Sequence, residues 1–232
     1  MNRTGFARAC TALLVLLAAS SLASAGAIHG WGSNFYGIMS GIPAGNNFVK
    51  VSSYEQHGLG LRGDGSVVAW GLGSSELLVP AGTYTDIGAG AATSYAIRTD
   101  GSIAAWGYNG YGQLSGAPTS GTFTKISAGR FHATALRSDG TALAWGYSGG
   151  TGVGTFIDVS SSMLDWSLGV RNDGTVDGTG TLYAWGSQNA YNQFNVPAGN
   201  DFVAASETSW SGDTTTRVSA GRSGICALFS GK

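Results

Sequence analysis

Along residues 26–232, apolar positions come in short runs, each cut off by glycine or by a charged side chain. No stretch holds the 3.6-residue period of an amphipathic helix, so the pattern predicts short strands joined by tight turns. Three stretches show it most clearly: DGSVVAWG (64–71), DGSIAAWG (100–107) and DGTALAWG (139–146). Each follows an apolar strand ending in arginine, in GLGLRGDG, SYAIRTDG and TALRSDG. Asp-Gly between two apolar runs predicts a hairpin, because glycine, and to a lesser degree aspartate, accepts positive φ. A further strand precedes each hairpin: FVKVSSY (48–54), YTDIGAG (84–90), FTKISAG (123–129) and FIDVSSS (156–162).

The pattern recurs. Trp-Gly stands at Trp31, Trp70, Trp106, Trp145 and Trp185, with gaps of 39, 36, 39 and 40 residues. A fourth hairpin, LGVRNDG (168–174), reaches YAWG (183–186) after an insertion containing Asp177-Gly178. A sheet of three or four short strands cannot bury both faces alone. Stacking such sheets radially buries them against one another, which predicts an all-β fold, a β-propeller. A β-solenoid or a sandwich is the alternative, but solenoid coils usually repeat every ~20–30 residues. The expected blade count is five, with a partial sixth as the other reading. Residues 206–217 are either an insertion in the fifth blade or the remnant of a lost segment. The stretch RVSAGRSGICALFSGK (217–232) parallels KISAGRFHATALRSDG (125–140), and GAIHGWG (26–32) aligns with GSVVAWG (65–71). Residues 27–32 are therefore expected to close the ring by pairing with a strand near 224–229.

Composition narrows the class. Arg3 and Arg8, the apolar run 13–19 and the small residues Ala23-Ser24-Ala25 have the layout of a secretory signal peptide. The run is too short to span a bilayer core of ~30 Å, and Cys10 precedes it, so no membrane or lipid anchor is expected. The predicted division is a signal peptide at 1–25 and a propeller at 26–232, secreted or periplasmic. Without Arg3 and Arg8 the basic residues fall from 12 to 10 against 13 acidic, a net charge of 10 − 13 = −3. The ten are scattered, and no basic stripe points to nucleic acid. Only Cys226 remains, which excludes an internal disulfide. The 39 glycines stand beside 7 Trp, 9 Tyr and 9 Phe, so aromatic burial is available and disorder is not the reading.

At DGSIAAWGYNGYGQL (100–114) and FTKISAGRFHATALRSDG (123–140) the chain resembles the regulator of chromosome condensation repeat family. The likeness extends, through YNQFNVPAGNDFV (191–203), to its bacterial secreted branch, which includes beta-lactamase inhibitor protein II. The resemblance implies a propeller. It implies no particular activity, because propellers host many unrelated ones, and no inhibitory motif is recognised here.

Catalytic chemistry is not legible. His57 and His132 hold equivalent repeat positions and read as strand-start residues bonding a neighbouring blade. Asp64, Asp100, Asp139, Asp173 and Asp177 read as turn formers, and no GxSxG elbow or phosphate loop occurs. No metal or cofactor is predicted. Arg62, Arg98, Arg137 and Arg171 recur at one position, either as strand-end pairing groups or as a ring of cations at one mouth of the channel. What varies between copies is loop chemistry: Tyr54-Glu55-Gln56, Arg130-Phe131, Asp165-Trp166 and Arg222-Ser223 after the first strand. After Trp-Gly come Phe35-Tyr36, Tyr108 with Tyr111, Tyr147 and Tyr191. A regular core with variable aromatic loops displays a binding face. The predicted function is a non-enzymatic module that binds or inhibits a protein partner through Tyr54, Phe131, Trp166, Arg130 and Arg222, with Trp166 as the anchor. A carbohydrate-binding propeller is the alternative. Trp70, Trp106 and Trp145 are expected to pack between blades.

Overall fold

The computed structural model describes residues 26–30, 34, 36–147, 149–162, 166–172, 180–186, 198, 202, 204–207, 217–221 and 224–227. These form five small sheets. The first holds β1 (Phe48–Tyr54), β2 (His57–Arg62) and β3 (Val67–Gly71). The second holds β4 (Tyr84–Ala89), β5 (Thr93–Arg98) and β6 (Ile103–Gly107). The third holds β7 (Phe123–Ala128), β8 (His132–Arg137), β9 (Ala142–Gly146) and the short β10 (Gly150–Thr151). In the fourth are β11 (Phe156–Ser161), β12 (Trp166–Arg171) and β13 (Leu182–Gly186); in the fifth, β14 (Ala204–Glu207), β15 (Arg217–Gly221) and β16 (Gly224–Ala227). The first four sheets are antiparallel throughout. In the fifth, β14 runs parallel to β15, and β15 pairs antiparallel with β16.

The first strands β1, β4, β7, β11 and β14 touch in sequence order, as blades do around an axis. The second strand of one blade packs on the first strand of the next. Leu59 and Leu61 meet Ile87 and Ala89; Tyr95 and Ile97 meet Ile126 and Ala128; Leu136 meets Val159. The fold is thus the all-β propeller that the repeat predicts. Neighbouring blades also satisfy inner-edge amides that would otherwise be orphaned. Ala89 N donates to Ser52 Oγ (3.0 Å), Ile126 N to Asp86 Oδ2 (2.8 Å) and Ser161 N to Ser127 Oγ (2.7 Å). Lys50 pairs with Asp86 across the first seam (2.5 Å), and Lys125 with Asp158 across the third.

The Trp-Gly signature has a steric cause. Gly71, Gly107 and Gly146 adopt φ of +116°, +107° and +94°. A Cβ at these sites would lie 2.3, 2.5 and 2.4 Å from the carbonyl oxygens of Gln56, Ala92 and Phe131. The tryptophans before them are buried between blades, as expected. Their indoles hold the loop of the preceding blade: Trp70 Nε1 donates to Ile38 O (2.9 Å), Trp106 Nε1 to Glu76 O (2.8 Å) and Trp145 Nε1 to Gln113 O (2.9 Å). At the opposite rim, Asp64, Asp100 and Asp139 accept both the amide and the hydroxyl of Ser66, Ser102 and Thr141. The Ser66 hydroxyl in particular holds the Asp64 carboxyl below the usual carboxylate range.

At the first blade, Gly26 exchanges both backbone hydrogen bonds with Phe48 (2.9 and 3.1 Å). Phe48 is the counterpart of Tyr84, Phe123 and Phe156, whose amides donate to Gly65, Gly101 and Gly140 (2.8, 2.9 and 2.7 Å). Gly26 therefore stands where its alignment with Gly65 places it. The ladder expected between 27–32 and 224–229 is not among the pairings of the described residues; β16 pairs with β15. Residues 31, 32, 228 and 229, and the stretch 1–25 expected to be a signal peptide, lie outside the described residues.

Candidate functional site

Antiparallel register sets which loops share a face. In the first three blades the first strand ends at a short turn into the second, and in the first four the third strand ends opposite the start of the second: Gly71 beside His57, Gly107 beside Thr93, Gly146 beside His132 and Gly186 beside Trp166. In the first three blades the turns after first strands and the loops after Trp-Gly therefore lie on one face, and the Asp-Gly turns on the other.

On that face, the seam between the second and third blades gathers four aromatic rings. Tyr108, Tyr111 and Tyr147 are 50%, 44% and 47% exposed, while Phe131 is half-buried. Tyr111 is the hub. Its centroid lies 6.2 Å from Tyr108, 5.6 Å from Tyr147 and 4.4 Å from Phe131, at interplanar angles of 68°, 80° and 38°. The exposed Arg130 guanidinium stands over Phe131, 4.9 Å from its centroid.

The loop carrying Tyr108 and Tyr111 is braced from below. The side chain of Gln113, 1% exposed, accepts from Tyr111 N through Oε1 (2.8 Å), while its carbonyl takes the Trp145 indole. Asn109 Oδ1 accepts from Leu114 N (2.8 Å) and Ser115 N (3.2 Å). Tyr108 folds over Gly110, where a Cβ would lie 1.9 Å from the tyrosine hydroxyl. Tyr147 N donates to Phe131 O (2.9 Å), which fixes the third-blade pair to each other. Exposed aromatics on a hydrogen-bonded loop form a surface ordered before any partner arrives.

Of the predicted site residues, the structure brings Arg130 and Phe131 together and joins them to Tyr108, Tyr111 and Tyr147. Trp166 is corrected. It is 1% exposed and opens β12 opposite Gly186, the register that His57 and His132 occupy in their blades. It is a strand-start core residue, and no exposed anchor. Tyr54 is corrected in part: it ends β1 opposite His57, half-buried, and packs on the core of the first seam. These residues sit one to three register positions apart, which separates loop tip from strand. Arg222 and Asp165 lie outside the described residues.

The histidines bond neighbouring blades as predicted. His57 Nε2 meets Ser94 Oγ (2.8 Å) and His132 Nε2 meets Trp166 O (3.2 Å). Since a carbonyl can only accept, His132 carries its proton on Nε2. Each recurrent arginine stands over an aromatic ring of its own blade. Arg62, Arg98 and Arg137 stand over Phe48, Tyr84 and Phe123 at 5.1, 5.8 and 5.5 Å, and Arg171 over Tyr183 at 3.9 Å. No group of three metal-ligating side chains exists among the described residues. None of their helices is long and apolar enough to cross a membrane.

Fold and face together define a β-propeller with a braced aromatic surface on one inter-blade seam. The chain carries regulator of chromosome condensation (RCC1) repeats, matched at residues 84–113 and 123–149, the segments that build this seam. No curated protein matches the chain in sequence. Among solved structures, it is similar to the ectodomain of the Physcomitrella patens receptor kinase CR4, with a TM-score of 0.62 and 22% identity over 85% of this chain and 52% of that one. It is also similar to the CRINKLY WD40 ectodomain of the Arabidopsis thaliana receptor kinase ACR4 (TM-score 0.55, 20% identity, 79% and 60% covered). A third is Prp20p from Saccharomyces cerevisiae (TM-score 0.50, 19% identity, 66% and 48% covered). The chain thus spans about half to three-fifths of these relatives, and at these identities the likeness is one of fold.

Proposed function

We propose that this chain is an exported, non-catalytic propeller that binds a protein partner through the seam face of its second and third blades. The observation that carries the reading is the Tyr111 hub: three tyrosines near half exposure, one phenylalanine and one arginine, gathered from three loops around the braced one that carries Tyr108 and Tyr111. Tyrosine and arginine are enriched among residues that dominate binding energy, and apolar surface held open in this way costs solubility unless it is covered. Prp20p, a structural neighbour, binds Gsp1p and histones, so protein recognition has a precedent on this fold. The lectin reading fits less well. The cluster stands on one seam: Ser75 holds the position of Tyr111 in the preceding blade, and Ala91-Ala92 that of Arg130-Phe131. Export follows from the leader reading of residues 1–25, and N-terminal sequencing of the exported protein should begin at Gly26.

The test compares residues 26–232 with a Tyr111→Ser/Tyr147→Ser variant of equal melting temperature. Both are immobilised and offered the extracellular proteins of the native source and, separately, an oligosaccharide array. The expected result is a protein retained by the parent and at least tenfold less by the variant, with no sugar held. A sugar bound and lost with the same residues, or a protein retained equally by both, overturns the reading.

A further inference from the structure

We propose that the seam face takes a proline-rich extended segment of its partner, lying across Tyr108, Tyr111 and Tyr147 with one carboxylate against Arg130. This rests on the protein-binding reading and names what the face recognises. Size comes first. Two globular surfaces usually bury about 800 Å² each and use ~20–30 residues a side. Four rings and one guanidinium on a single seam fit a short linear segment better.

Shape comes second. A sugar stacks on an open ring face, but Phe131 tilts onto Tyr111 at 4.4 Å, and Tyr108 and Tyr147 stand at steep angles to it. Edge-to-face contacts at these distances make the rings one continuous, ridged aromatic surface centred on Tyr111. The hub-to-neighbour spacings of 6.2 and 5.6 Å are close to the ~6 Å that two residues of a polyproline II helix advance. Exposed aromatic rings suit that helix, which arrives already extended and loses little entropy on docking. Its carbonyls have no internal partners, so exposed tyrosine hydroxyls can donate to them.

Charge comes third. Arg130 is the single charged residue in the three loops at 108–117, 129–131 and 145–157. Its guanidinium stands over Phe131, 4.9 Å from the ring centroid, and the planar fork of donors on an arginine suits a carboxylate. A lysine there would meet repulsion with no acid on the loops to offset it. The site therefore discriminates sign as well as shape.

The probes are synthetic peptides titrated into residues 26–232 and followed by calorimetry and by amide NMR shifts. One is a nine-residue polyproline with a central glutamate, the second has lysine in its place, and the third is a Gly-Ser peptide with the same glutamate. Binding of the first should exceed that of the other two at least tenfold, with shifts at Tyr111 and Tyr147. Tyr147→Ser should remove it, and Arg130→Gln should abolish the glutamate-over-lysine preference while proline binding persists. Equal binding of the Gly-Ser peptide, or no binding of the first, overturns the proposal; so does a Tyr147→Ser variant that binds unchanged. If a partner is still captured through Tyr111 and Tyr147 but the proline-glutamate peptide does not compete with it, the segment is wrong and the protein-binding reading stands.

Discussion

His132 shows how one side chain couples burial to pH. It is fully buried between the third and fourth blades, and burial pushes its pKa down to about 4, against the weaker opposing effect of its bond to Trp166 O. Burial also lowers His57, with Glu76 opposing. The folded chain therefore keeps His132 neutral where the unfolded chain, near 6.5, takes up a proton. The associated stability is fully present above pH 6.5 and is lost as pH falls toward 4, by about 3 kcal/mol in all at 1.36 kcal/mol per pKa unit. Thr93 fills the same register in the second blade, opposite Gly107, so His132→Thr is compatible with the fold. Urea unfolding at pH 7 and pH 5 should show a marked loss for the parent and a clearly smaller one for the variant. Equal losses would remove His132 as the cause.

At the scale of elements, the third strand and its Trp-Gly are the joint of each blade. The tryptophan fills the seam and its indole grips the loop of the blade before, while the glycine lets the chain pass a carbonyl at a distance no side chain permits. Trp106→Ala empties an aromatic core site and should cost about 3–5 kcal/mol. Trp106→Phe should cost much less. It keeps most of the packing, and Glu76 O still accepts from Ser94 Oγ (2.9 Å) when the indole bond, worth ~1 kcal/mol, is lost. Thermal unfolding of both variants checks this, and equal melting temperatures would assign the whole effect to packing lost at any aromatic change. Strands, hairpin turns and these tryptophans were legible because period, apolar runs and Asp-Gly are local signals. The inner-edge ionic links were not singled out, although Lys50, Asp86, Lys125 and Asp158 alternate in sign at one repeat position. They matter only once two blades face each other. Trp166 was misplaced for a similar reason. Sequence order brings it close to the loop tip, but pairing register puts it in the strand, and register is set by the partner strand. The hub at Tyr111 required three loops from two blades, and Asn109 and Gln113, which brace it, carry no signal in a count of aromatics.

For the molecule as a whole, the open question of stability lies at the first blade. Val51 is 51% exposed and Val49 38%, whereas Ile87 and Ile126 are 1% exposed and Val159 0% at the equivalents of Val51. Those equivalents are covered by the second strand of the preceding blade. Around Val51 the preceding blade is represented by residues 26–42: Gly26 bridges Phe48, Ile28 lies near Gly60 and Phe48, and Ile38 O takes the Trp70 indole. These stand for a third strand and its loop. The missing first and second strands match the β15–β16 hairpin, whose sequence repeats that of β7–β8 (RVSAG and KISAG). We therefore expect β16 to dock beside residues 27–30 and cover Val51 in the folded protein. Val51→Asp discriminates. On an open face the substitution stays within about 0.5 kcal/mol. Beneath β16 it buries an unpaired charge and should cost about 3–5 kcal/mol, comparable with Ile87→Asp as the reference for a closed seam. Denaturant unfolding of both variants decides it. A Val51→Asp protein as stable as the parent, beside a collapsed Ile87→Asp, would show a ring that stays open at its first blade.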